Sequence, residues 1–122
     1  MQIENLLGID NELKDCEKSL FTASTEYRDL AEDAARKRAS YDVAFAKEML
    51  VLKGGTNLKA TVPEREAMAI VNVQQSLTDC RIAEALAEGS KRHLTTLQSI
   101  ITSIQTRAAL IKVELSLNGR QV

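Results

Sequence analysis

Residues able to do chemistry are few in this chain and stand apart from one another. The one histidine, His93 in "GSKRHLTT", is the first place to look for a base or a metal ligand. The carboxylate before it, Glu88, lies five residues back and off its helical face, so neither a nucleophile triad nor a zinc site assembles there. Cys16 and Cys80 lack metal-type spacing, are too few for a disulfide framework, and read as free buried thiols. Asp29, Glu32 and Asp33 stand at i, i+3 and i+4, a patch that could attract a divalent ion. A rigid helix supplies no further oxygens to complete such a shell, so the patch reads as a solvated acidic face. The stretch "KGGTNLK" has the glycines and lysines of an anion-holding loop. It lacks the Gly-Lys-Ser/Thr ending and the preceding strand of an NTPase phosphate loop, and reads as a helix terminator with solubilising lysines. Nothing places a nucleophile, a base and an electrophile together. The expectation is no enzyme, no cofactor, no metal and no small-molecule substrate.

A better-populated feature is basic. Arg36, Lys37 and Arg38 are followed by Lys47, Lys53, Lys59 and Arg65. Folded back at the glycines, all of these fall in one half of the molecule, where they could neutralise phosphates of a nucleic acid. Asp42, Glu48 and Glu64 dilute the set, and solubility or intramolecular pairing is the plainer role. A seven-residue apolar repeat sets the elements that must carry these side chains. It runs Leu6, Leu13, Leu20, Tyr27, Ala34, Tyr41, with companions Ile9, Cys16, Ala23, Leu30, Lys37, Ala44, Val51. Lys37 violates the second series and reads as a register-setting residue. After it the stripe shifts to Phe45, Met49 and Leu52, as a 3.6-residue helix drifts from a 3.5-residue repeat.

The first helix is therefore expected from about residue 5 to 52 and a connection over 53–62. In that connection Gly54 and Gly55 supply left-handed or otherwise permissive backbone, and Asn57 suits a turn. "TVPE" then signals a start, with Thr61 as cap, Pro63 in the first turn and Glu64 closing a capping box. A second helix is expected from about 63 to 117, with seams Val73, Cys80, Ala87, Leu94, Ile101, Ala108, Leu115 and Ala69, Ser76, Ala83, Ser90, Leu97, Ile104, Ile111. Gly89 marks a bend or a close crossing. Folding near residue 57 pairs residue i with about residue 115 − i, so that Leu13 meets Thr102 and its neighbours.

The fold class expected is all-α: one elongated antiparallel helical hairpin over residues 1–122, coiled-coil-like. Charge agrees with the pairing. A net charge of −1 conceals blocks of −6 over 1–35, +4 over 36–65, −3 over 66–88 and +4 over 89–122. Two helices cannot bury the wide apolar stripe Leu94, Leu97, Ile100, Ile101, Ile104, Ile111 and Leu115, so self-association is expected, most simply as a dimer forming a four-helix bundle. No apolar run reaches the length of a membrane span and the first residues lack a signal-peptide pattern, so a soluble, cytoplasmic protein with no membrane partner is expected.

The strings "YDVAFAKEML" and "KATVPEREAMA", followed by a long helix ending "RAALIKVEL", resemble small helical coiled-coil proteins of tailed bacteriophages. Such proteins are often encoded near recombination and single-strand-binding genes. The resemblance implies a phage accessory or adaptor factor acting through protein contacts in the host cytoplasm. It supplies no catalytic residues. Two alternatives stand beside it. One is nucleic-acid binding by Arg36, Arg38, Lys47, Lys53, Lys59 and Arg65; the other is inhibition of a host enzyme or defence complex by the acidic face Glu26, Asp29, Glu32 and Asp33.

Overall fold

The computed structural model describes residues 2–55 and 60–120. The fold is all-α, with three helices and no strand among the described residues: α1 (Gln2–Gly54), α2 (Val62–Asn72) and α3 (Gln74–Arg120). Residues 56–59, which hold the expected Asn57 turn and Lys59, lie outside the described residues.

The start of α2 forms as its residues demand. The Glu64 N–H donates to Thr61 Oγ1 at 3.3 Å, and the Thr61 N–H donates to the Glu64 carboxylate at 3.3 Å. Two amides that a helix start leaves without partners are thereby satisfied. The end of α1 differs from expectation. Gly54 is still helical and no described glycine has positive φ, so the pair does not terminate the helix by a left-handed turn. At Gly55 the requirement is space, because an added Cβ would stand 3.3 Å from the Val51 carbonyl oxygen.

The second helix is not continuous. Val73 leaves helical geometry at φ −109 and ψ 24, dividing the expected span 63–117 into α2 and α3. The i to i−4 ladder persists across it, from Val73 N–H to Ala69 and from Leu77 N–H to Val73. Val71, Asn72 and Val73 are weak helix formers, and Asn72 Nδ2 is drawn across to Glu48 Oε1 at 2.6 Å. Gly89, by contrast, sits in uninterrupted helix. A Cβ there would meet nothing within 4 Å, so it does not mark a close crossing.

All the buried hydrophobic residues among those described lie on the heptad seams: Ile9, Ala23, Ala34, Ala69, Cys80, Ala83 and Ile104. The other seam positions are half-buried except Lys37 and Val51, which are exposed, while Phe45, Met49 and Leu52 are half-buried. The stripe therefore drifts off the repeat where the repeat breaks. Lys37 stays out of the core and pairs with Asp33 one turn back at 3.2 Å.

Contacts gather in two compact units. Unit 1 is Met1–Tyr27 with Ser90–Val122, and unit 2 is Arg28–Gly89. In unit 1, Arg107 Nη2 donates to Glu12 Oε2 at 2.9 Å. In unit 2, Arg38 Nη2 donates to Glu84 Oε1 at 2.5 Å, and Asn72 meets Glu48. The paired numbers total 119, 122 and 120, about one helical turn beyond the expected 115. Part of the offset is geometric. Side chains lean toward their helix N-terminus, so each spot is covered by a residue about one place further on, which adds about two when the partners' numbers run oppositely.

Candidate interaction surfaces

The basic residues do not behave as one set. Arg36, Lys47 and Lys53 are exposed and have no ion-pair partner among the described residues. Arg38 is half-buried, held by Glu84, and its guanidinium lies 5.6 Å from the centre of the Tyr41 ring. Arg65 is half-buried, with a buried Nε that finds no hydrogen-bond partner among the described residues. Lys59 lies outside the described residues, so three of the six candidate phosphate contacts are on open surface.

Around Arg38 the structure assembles a cluster that sequence reasoning missed. The Cys80 thiol, on a residue with 0% of its surface exposed, donates to Glu84 Oε1 at 3.3 Å, the same oxygen that receives Arg38. The Arg38 hydrogen bond, then that from Cys80, holds the Glu84 carboxyl below its ordinary range. The same Glu84 contact raises Arg38. Burial first, and Glu84 second, push the Cys80 thiol up, so it stays protonated and unreactive. A signal was present in the opposed charge blocks 36–65 and 66–88. Only the register that sets Glu84 opposite Arg38 turns it into a contact.

The acidic face divides differently. Glu26 is exposed in unit 1; in unit 2, Asp29 and Glu32 are exposed and Asp33 is half-buried under Lys37. Among the described residues no three His, Cys, Asp or Glu side chains converge as a metal site. His93 is exposed on α3.

The seven candidate interface residues all lie in unit 1. Ile104 is buried within the chain at 5% exposure, Ile100 is 43% exposed, and Leu94, Leu97, Ile101, Ile111 and Leu115 are half-buried. An open groove runs between Glu12, Asp15 and Cys16 on α1 and Ile100, Ser103, Ile104 and Arg107 on α3. On α3, Leu110, Val113 and Leu117 expose more than half their surface, so its last turns are apolar on more than one side.

No family model matches the chain, and neither a curated protein nor a solved structure matches it. Among the described residues no helix is long and apolar enough to cross a membrane.

Proposed function

We propose that this chain is a non-enzymatic accessory or adaptor protein of the tailed-phage type, one antiparallel helical-hairpin domain that self-associates, as a dimer, and works in the bacterial cytoplasm through protein contacts. The observation that carries self-association is area. The chain exposes 9017 Å², whereas a compact monomer of 13.5 kDa exposes roughly 6,500 Å². The surplus of roughly 2,500 Å² exceeds the roughly 800 Å² that each partner contributes to a standard interface. The phage setting, and a place in phage DNA metabolism, rest on the resemblance of residues 38–115 alone. Sedimentation equilibrium over a hundredfold range of protein concentration tests the oligomer. The expected mass is twice 13.5 kDa. A monomer throughout the range would overturn the reading.

A second reading is favoured by one observation, the exposure of Arg36, Lys47 and Lys53 without ion-pair partners among the described residues. Those side chains would contact phosphates of a nucleic acid. Fluorescence anisotropy against short single- and double-stranded DNA at about 50 and about 200 mM salt tests it. Affinity that falls steeply with salt and with Lys53→Ala supports direct binding; flat curves at both salts reject it.

A further inference from the structure

Self-association leaves open which surface meets the second copy, and any particular face can serve only if the chain does self-associate. On α1 of unit 2, Ala35, Ala39, Val43, Ala46 and Leu50 follow at steps of four, four, three and four, which aligns them on one face of the helix. All five are exposed, Val43 to 53% and Leu50 to 70%. The core-facing residues of the same segment, Ala34, Tyr41, Phe45 and Met49, lie on another side. No charge interrupts the face for roughly 22 Å. Glu32 stands one step before it and Lys53 one step after it, both exposed and without ion-pair partners among the described residues. Beside the stripe is a shallow hole bounded by Ala39, Ser40, Val43, Ala44 and Lys47, the form that receives a side-chain knob.

We propose that a second copy of this chain covers this face, α1 packing antiparallel on α1 about a two-fold axis near Val43. Size complementarity favours the inversion. It sets Leu50 over Ala35 of the second copy, Ala46 over Ala39, and Val43 at the axis, whereas a parallel pairing sets Leu50 on Leu50 and leaves Ala35 against Ala35. Charge favours it as well, because inversion brings Glu32 beside Lys53 of the second copy at both ends, while a parallel pair sets like on like. The chain's surplus exposed area is larger than a standard interface needs, and a second copy is the partner always present in equal amount. The flanks are less favourable. Asp42 meets Asp42 of the second copy near the axis, and Arg36 comes near Lys47. These are exposed charges that salt screens over roughly 8 Å, and they make the geometry testable.

Disulfide trapping decides it. In a Cys16→Ser/Cys80→Ala background, chains carrying Ala35→Cys are mixed with chains carrying Leu50→Cys and oxidised. The mixed disulfide dimer is expected in excess over the Ala35→Cys homodimer; the reverse would overturn the antiparallel arrangement. By sedimentation, Ala39→Glu and Val43→Glu are expected to weaken the dimer roughly a hundredfold with helix content unchanged, since both sites are exposed in the single chain. Glu32→Lys should weaken it roughly tenfold and Glu32→Lys/Lys53→Glu restore it, while Asp42→Asn should tighten it severalfold. A dimer indifferent to Val43→Glu but lost in Ile101→Asp overturns this face and leaves self-association standing. A wild-type chain that is monomeric throughout overturns both.

Discussion

The two units bury residues of different size. In unit 2 the fully enclosed side chains are small: Ala34, Ala69, Cys80 and Ala83 keep 7% or less of their surface. In unit 1, Ile9, Ala23 and Ile104 are enclosed, but Leu13, Leu20, Leu94, Leu97 and Ile101 stay only half-covered. A methyl group or a thiol disappears between two helices that come close together. Ile9 and Ile104 apart, the leucines and isoleucines of the unit 1 seams stand further out and are only partly surrounded by the facing helix. Unit 2 also places the interhelical pair Arg38 with Glu84 beside a buried thiol, whereas the interhelical pair in unit 1, Arg107 with Glu12, is more than half exposed on both sides. The small seam residues of unit 2 are thus closed off by a two-helix contact, and most of the large ones of unit 1 are only half-covered by it.

Of the substitutions that separate the two units, those in unit 1 should have the largest effect. Ile104→Ala should cost about 3 kcal/mol in urea unfolding, because it empties an enclosed site, and Ile101→Ala about 1 kcal/mol. Equal losses at high protein concentration would mean that another surface covers Ile101 as fully as the chain covers Ile104. Next comes overpacking in unit 2. Ala83→Leu should cost about 2 kcal/mol, since the site retains 2% exposure and has no room. Ala108→Leu, at a half-buried site of unit 1, should stay within about 0.5 kcal/mol.

Backbone changes should not distinguish the units. Gly8→Ala in unit 1 and Gly89→Ala in unit 2 should each stabilise by about 0.5–1 kcal/mol, because each lies in helix and an added Cβ meets nothing within 4 Å. The smallest effect is confined to low pH. The Glu84 carboxyl is held down in the folded state, so its stabilisation is present above the ordinary carboxylate range, about 4.3, and is lost as pH falls through the lower folded value. Unfolding midpoints followed from pH 7 to about pH 2 should therefore fall less steeply in Glu84→Gln than in the wild type. Superimposable profiles would remove the Arg38 contact from solution.

Much of the helical layout could be read from residue order because it depends on local chemistry. Thr61, Pro63 and Glu64 make a helix start wherever they stand together, and the seams mark which positions lose water. The break at Val73 is invisible to a repeat, which counts apolar residues and takes no account of weak helix formers in succession, nor of Asn72 reaching Glu48 from another helix. The glycines mislead for a related reason. Gly55 answers to the nearby Val51 carbonyl and Gly89 to nothing at all, and composition cannot separate the two cases.

The order of residues is enough to make this protein helical, to choose which faces of the helices leave water, to place the start of α2, and to alternate opposite charges in blocks along the chain. These follow from 3.6-residue periodicity, capping and charge, all properties of neighbours in the chain. Tertiary packing set the register, the interruption at Val73 and the meeting of Arg38, Glu84 and Cys80 on one carboxylate oxygen. A shift of one helical turn leaves every apolar residue on the same face, so hydrophobic burial barely distinguishes the two registers. Individual polar contacts, which need a donor within about 3 Å of its acceptor, do distinguish them.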